Sequence, residues 1–464
     1  MLFNKSCLTI AALVVFACFT SCKKSDVSNG SLTPPQPPST SPVTNEDALK
    51  DSALLYSKDI YLWYNQIPNS FNAHSYSDLD KLMTAIRQYS TESGFTGPVD
   101  KWSFAVKKSE WDNVSTGVST GDFGLNVFFM SEGDLRVKLV EKESPAGLAG
   151  IRRGWRITSI NGNSNITTAN ASFIVQNLYQ SNTAKISFLK PDNNTVTIDL
   201  VSSNYNEHPV ILDSVYSINS KKIGYFAFNS FLGDTTDIYN QYSRIFGKFA
   251  SANVSDVIID LRYNGGGYVS VQEKMADWLA PQSANGQLMM KQQFNEKYTQ
   301  YNTEDKFNKI GSLNLNRIFF IVSNSTASAS ELLINNLKPY MDVYLVGPSK
   351  TYGKPVGFFP IPVGDWYIFP VSFKTTNKNG DGNYFNGIAV NSQVADGLDK
   401  DWGDITESSL HSAISFITSG AFRSVAAGGR NSSSVYNEQP EVKSGNIILD
   451  APSFKGTIDT RSFK

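Results

Sequence analysis

The sequence predicts a multidomain α/β protein: a small N-terminal helical domain, a β-rich domain, and a larger domain of alternating strands and helices. Three observations predict it. Leu49, Leu54, Leu55, Ile60 and Leu62, then Leu79, Leu82 and Ile86, recur near helical spacing. Residues 117–205 change to short β runs separated by turns. Between 206 and 420, buried-type apolar runs such as Val257-Ile-Ile-Asp-Leu261 and Ile318-Phe-Phe-Ile-Val322 alternate with helical patterns. The chain has 464 residues, enough for two to four domains at roughly 100–200 residues each. With 41% hydrophobic and 18% charged residues it has material for a sizeable core, which excludes global disorder.

Charge and histidine content narrow the function. Lys plus Arg is 41 and Asp plus Glu is 42, without the basic excess of a nucleic-acid binder. His74, His208 and His411 lie far apart, in no ligand-like spacing. Nothing in the sequence points to a metal or a cofactor.

The three cysteines, Cys7, Cys18 and Cys22, all precede residue 23, so the rest of the chain has no internal disulfide and no thiolate metal site. Lys5 followed by the mostly apolar run Cys7–Phe19 reads as an export signal, shorter than the ~20 residues of a spanning helix. Phe19-Thr-Ser-Cys22 resembles the lipobox of bacterial lipoproteins, with Phe where Leu is usual. The resemblance implies cleavage after residue 21, lipidation of Cys22, and a cell-envelope location on a lipid anchor. Ordinary secretion is the alternative. Residues 22–44 carry Pro34, Pro35, Pro37, Pro38 and Pro42 among Ser and Thr, a tether partly of polyproline type.

Residues 45–116 form the helical domain, with Tyr56, Tyr61, Trp63 and Tyr64 as core candidates. In 117–205, Ser144-Pro-Ala-Gly-Leu-Ala-Gly-Ile151 is a turn entering a short helix. Trp155-Arg-Ile-Thr-Ser-Ile160 is a strand ending at an Asn161-Gly162 turn. Upstream stands Phe123-Gly-Leu-Asn-Val127. Together these segments resemble a PDZ domain. The resemblance implies that Phe123, Gly124, Leu125 and Asn126 form the loop whose backbone N–H groups hold a peptide's terminal carboxylate, the peptide adding as a strand.

In open α/β sheets, functional groups gather beyond the C-terminal ends of strands. Three loops qualify. Asp260-Leu-Arg-Tyr-Asn-Gly-Gly-Gly267 leaves the backbone bare, suited to one half of an oxyanion hole or to a tight turn. Ser323-Asn-Ser-Thr-Ala-Ser-Ala-Ser-Glu331 places hydroxyls at a strand-to-helix junction, where Ser is also a common helix cap and forms a capping box with a Glu three residues on. Thr351-Tyr-Gly-Lys354 offers a lysine, ordinarily a solvated charge. To act as a base it must be neutral, its pKa brought from ~10.4 to ~7–8 by burial.

The three loops together resemble the S41 family of C-terminal processing (tail-specific) serine peptidases, weakly continued through Asn386-Gly-Ile388 and a closing helix at 407–417. The resemblance implies an α/β sandwich of the ClpP/crotonase type over 206–420. It also implies a Ser-Lys dyad of Ser328 and Lys354, with Ala329 and a glycine of the 265–267 run, foremost Gly266, as oxyanion donors. Ser330 is the competing serine, read as structural. Many members carry a Gln four residues after the lysine; here that position is Phe358. The implied activity is endopeptidase cleavage near the C-termini of exported proteins, with substrates being proteins or peptides with free C-termini. The alternatives are a PDZ-type binder on an inactive peptidase fold and a hydrolase acting on something other than peptide. Residues 421–464, rich in Ser, Gly and Asn, read as a flexible tail.

Overall fold

A six-stranded sheet carries the strand-helix region, in the order Ser392–Gln393, Asp342–Gly347, Arg317–Ile321, Asp256–Asp260, Lys221–Phe228 and Val210–Ile218. Neighbours are parallel except the last pair. The computed structural model describes residues 46–422 and 456–460, all within the unit Val43–Lys464. The export signal, Cys22, the tether and most of 421–464 lie outside the described residues. No helix among the described residues is long and apolar enough to cross a membrane.

The continuous apolar runs are explained by burial on both faces of the sheet. Along Val257-Ile258-Ile259, alternate side chains enter different cores. Val257 and Ile259 pack with the helices Thr235–Ser251, Val269–Leu279 and Ala329–Leu337, while Ile258 packs with Ser408–Ser419. The parallel order aims the ends of Asp256–Asp260, Arg317–Ile321 and Asp342–Gly347 at one edge, so their loops meet.

Residues 118–206 build a five-stranded antiparallel sheet from Leu125–Ser131, Asp134–Val140, Arg156–Ile160, Thr183–Leu189 and Thr195–Val201. Short helices Pro145–Leu148 and Ala171–Tyr179 accompany it, around a core of its own.

Two findings go beyond the sequence reading. The 45–116 stretch contains helices Glu46–Ile60, Leu79–Ile86 and Lys108–Thr116, yet it also contributes strand Phe104–Lys107, paired with Trp366–Phe369. Its core is continuous with that late β stretch, Ile60, Trp102 and Trp111 clustering with Phe358, Phe369 and Phe373. Helical spacing gave no warning of this, because the partner lies some 260 residues away. The reading of 421–464 as tail is corrected at Gly456–Ile458, which is a buried strand parallel to Gly266–Tyr268. A three-residue strand has no period to detect, and its partner is remote in sequence.

Candidate active site

The glycine loop and the serine loop are bonded to each other along their length. Thr326 Oγ1 donates to the Leu261 carbonyl at 2.8 Å, Ala327 N–H to Asn264 O at 3.1 Å, and Ser330 Oγ to Asn264 O at 3.1 Å. Ser323 Oγ donates to Arg262 O. Ser323, Thr326 and Ser330 thus bond the serine loop to its neighbour.

Ser328 stands at the junction with helix Ala329–Leu337, fully buried, at φ 59° and ψ −112°. For a residue with a Cβ this conformation is strained by about 1–3 kcal/mol. Glu331, three residues on, takes the Ser328 N–H at 2.8 Å. That bond belongs to the capping box the sequence offered between Ser328 and Glu331. The Ser328 hydroxyl also meets Thr457 Oγ1, in the strand Gly456–Ile458.

Glu331 joins the serine loop to the lysine loop. Its Oε2 accepts from the N–H groups of both Ser328 and Lys354, each at 2.8 Å. Its Oε1 accepts from Thr351 Oγ1 at 2.5 Å and Gly353 N–H at 2.7 Å. Burial pushes this carboxyl up, against the hydrogen bonds from Thr351, Lys354, Ser328 and Gly353. The main-chain nitrogens of Ser328 and Lys354 therefore lie within two hydrogen-bond lengths of each other. Sequence reasoning saw Glu331 only as a helix cap; its reach to residues 351–354 had no local signal.

Lys354 is 1% exposed. Burial lowers its amine well below the ordinary lysine range; Asp100 and Glu331 oppose the shift and Arg87 adds to it. Asp100, Arg87 and Trp102 come from the N-terminal stretch, which therefore walls the lysine. Nζ lies 3.6 Å from the centre of the Phe358 ring and 5.8 Å from that of Trp102. Phe358, at the position where Gln is usual in the resembling family, meets the amine with an aromatic face.

Ala329 opens the helix, where N–H groups lack intrahelical acceptors. Gly266, at φ 105°, is its neighbour in space: a methyl group on Gly266 would lie 3.0 Å from Ala329 N and 2.5 Å from the Gly456 carbonyl oxygen. The Gly266 N–H donates to Asn264 Oδ1 at 2.9 Å. Asn264 also anchors to Phe228 O at 3.1 Å. The position therefore requires glycine, and Asn264 controls its N–H.

A buried charge network underlies the glycine loop. Arg262 is bonded to Asp260 at 2.8 Å and to Glu407 at 2.9 and 3.1 Å, and reaches Asp396 at 3.2 Å. Asp396 also pairs with Arg153 of the 118–206 region, and Arg153 donates to Tyr263 Oη at 2.7 Å. Burial opposes ionisation of Asp396, but Arg153 and Arg262 hold its carboxyl well below the usual range. Glu407 is lowered in the same sense, Arg262 overcoming burial.

The loop Phe123–Asn126 lies in the other sheet. Phe123 is fully buried, and Gly124, at φ 71°, leaves no room for a Cβ, which would meet Ser144 Cβ at 2.0 Å. Strand Leu125–Ser131 is at the sheet edge, and its Val127 N–H is taken by Tyr179 Oη at 3.2 Å. Gly124 N–H donates to Asp122 Oδ1 at 2.7 Å. Nearby, Glu141 is pushed up to about 8 by burial and by the Glu207 carboxylate.

Residues 222–394 match the sequence profile of Peptidase family S41. This part of the chain is similar to S41 peptidases. The chain is 23% identical over 266 residues to the carboxy-terminal processing protease CtpB of Bacillus subtilis (strain 168), over 56% of this chain and 52% of that protein. The chain thus spans about half the length of this curated relative. Its fold is shared with an S41 protease from Bacteroides fragilis NCTC 9343, at TM-score 0.64 and 22% identity, over 79% of this chain and 97% of that one. All three loops singled out in the sequence fall within the matched residues, where Glu331 joins the Ser328 and Lys354 main chains.

Proposed function

We propose that this chain is a serine endopeptidase hydrolysing peptide bonds near the C-termini of exported proteins through a dyad of Ser328 and Lys354. The observation that carries the reading is the shared Glu331 oxygen between the two main chains, beside a lysine whose burial favours the neutral amine. Neutral Lys354 takes the Ser328 proton as Oγ attacks the scissile carbonyl. Charge developing on the carbonyl oxygen falls to the N–H groups of Ala329 and Gly266, the latter once Asn264 Oδ1 releases or shares it. Collapse expels the amine, which takes the proton from Lys354. Water then attacks the acyl-enzyme, with Lys354 again as base. This is a Ser-Lys form of triad logic.

Residues 117–205 are read as a PDZ domain in which Phe123–Asn126 receive the substrate's terminal carboxylate. An incoming strand would take the Val127 donor from Tyr179. Export and lipidation at Cys22 would place the enzyme on the cell envelope. The alternative, a PDZ-type binder with weak or no catalysis, draws on Phe358: an aromatic face at 3.6 Å favours the ammonium over the amine.

Cleavage of an unstructured peptide with an apolar free C-terminus tests the reading, with Ser328→Ala and Lys354→Ala as comparisons. Cutting by the wild type and by neither folded variant supports it. Binding without cutting in all three favours the alternative.

A further inference from the structure

The strand Gly456–Ile458 lies apart from the central sheet. It pairs in parallel with Gly266–Tyr268, in the register Gly266 to Gly456, Gly267 to Thr457 and Tyr268 to Ile458. Its other edge meets Phe358, whose N–H donates to Thr457 O at 3.0 Å and whose carbonyl accepts from Asp459 N–H at 3.1 Å. Gly456 N–H closes the near end on Gly265 O at 3.0 Å. A short extended segment is therefore gripped on both edges by main chain, as a bound peptide is in strand addition. One gripping element is the glycine loop and the other is the residue whose ring faces Lys354.

The side chains follow the same logic. Ile458 is 1% exposed, in the apolar cluster that holds Leu232, Val269 and Phe358. Thr457 is 2% exposed and sets its hydroxyl against Ser328 Oγ. Ser328 is itself 0% exposed, so no substrate reaches it while this segment is seated. The group presented to Ser328 is a hydroxyl, which is no electrophile. Beyond Thr460 the groove opens into a cleft of about 760 Å³, lined in part by Gly233, Asp234 and Tyr268.

We propose that the groove between Gly265–Tyr268 and Phe358 binds extended peptide as a strand parallel to Gly266–Tyr268, and that residues 456–459 are its built-in ligand, seated in an unreactive register. The pattern it accepts is a residue without side chain, a hydroxyl residue facing Ser328, and a β-branched apolar residue. An incoming peptide competes with this segment for the same main-chain bonds. The proposal rests on the peptidase reading for its kinetic consequence but not for the binding itself.

A ligand on the same chain competes intramolecularly, at an effective concentration on the order of 1 mM. The open fraction is set by the ratio of the free peptide's Kd to that concentration. A free-peptide Kd of ~10 µM would leave about one molecule in a hundred open and raise the apparent KM about a hundredfold.

The test uses the full chain with Ile458→Asp, which puts a charge into the apolar cluster, and separately Thr457→Glu, which puts a carboxylate against the fully buried Ser328 hydroxyl. A synthetic peptide of residues 453–460 is the probe. Both variants are expected to lower KM by ten- to a hundredfold with kcat little changed, and the added peptide to inhibit them competitively. In the Ser328→Ala background, Ile458→Asp is expected to bind the labelled peptide by fluorescence anisotropy, while the same background without it binds weakly. If no form cleaves peptide but this binding difference holds, the groove and its built-in ligand stand and the peptidase reading falls. If peptide is cleaved with an unchanged KM in both variants, or the probe fails to bind, the segment is only a structural strand. Loss of cooperative unfolding in both variants overturns the proposal equally.

Discussion

Replacing Glu331 separates helix capping from alignment of the serine and lysine loops. The carboxylate accepts four hydrogen bonds, two per oxygen, in a fully buried position. In Glu331→Gln the amide oxygen serves one pair of donors and the NH₂ faces the other. If the oxygen keeps Ser328 and Lys354, Thr351 turns its hydroxyl away and Gly353 N–H is left facing a donor. One buried N–H without an acceptor costs about 1–3 kcal/mol. Glu331→Ala strands the N–H groups of Ser328, Gly353 and Lys354 together, for a loss of about 3–9 kcal/mol. For catalysis, a displacement of ~1 Å between reacting groups costs on the order of a hundredfold. Glu331→Gln is therefore expected to lower kcat about a hundredfold with KM nearly unchanged, and Glu331→Ala to lower it further. The assay is steady-state peptide cleavage at a temperature where denaturant titration shows each variant folded. Wild-type kcat in a destabilised but folded Glu331→Ala would refute the alignment argument and leave Glu331 a helix cap.

Further outcomes follow from the same geometry. Because burial lowers the Lys354 amine and the base must be neutral, kcat/KM is expected to rise with pH through a group titrating below the ordinary lysine value of 10.5, and Lys354→Arg to be inactive at every pH. Ser328→Gly is expected to be more stable to denaturant than Ser328→Ala by about 1 kcal/mol, because glycine adopts φ 59° without strain; equal stabilities would count against the strained junction. Asp396 and Glu407 have carboxyls lowered in the fold, so their contribution to stability is present above pH ~4 and lost as pH falls below it. Asp396→Asn, which leaves Arg153 and Arg262 short of a partner, is expected to cost about 3–5 kcal/mol, read as a lower denaturation midpoint. Glu141, pushed up to about 8 beside Glu207, gains negative charge as pH rises. Binding of a peptide carboxylate at Phe123–Asn126 is expected to weaken through that range, as read by titration of labelled peptide.

The central sheet was legible because its strands are buried on both faces, and runs such as Val257–Ile259 and Ile318–Val322 carry that burial in their composition. The glycine, serine and lysine loops were legible because each directly follows such a strand. What escaped was whatever acts across large sequence separations. Asp100, Arg87 and Trp102 surround Lys354 from the far end of the chain. Phe104–Lys107 completes a sheet with residues near 367. Thr457 faces Ser328 from a stretch whose Ser, Gly and Asn content masks a strand of three residues. Glu331 was visible at the correct spacing for a cap, but the reach of its second oxygen to Thr351 and Gly353 depends on where the next strand's loop returns. Asn264, which holds the Gly266 N–H, reads in sequence as one more turn residue.

The dyad is tested most directly by treating the folded chain and its Ile458→Asp variant with a serine-reactive fluorophosphonate and locating the adduct by mass spectrometry. The account predicts a single adduct on Ser328, faster in Ile458→Asp and absent in Lys354→Ala. An adduct on Ser323 or Ser330, or labelling of Ser328 that is indifferent to Lys354, would contradict it.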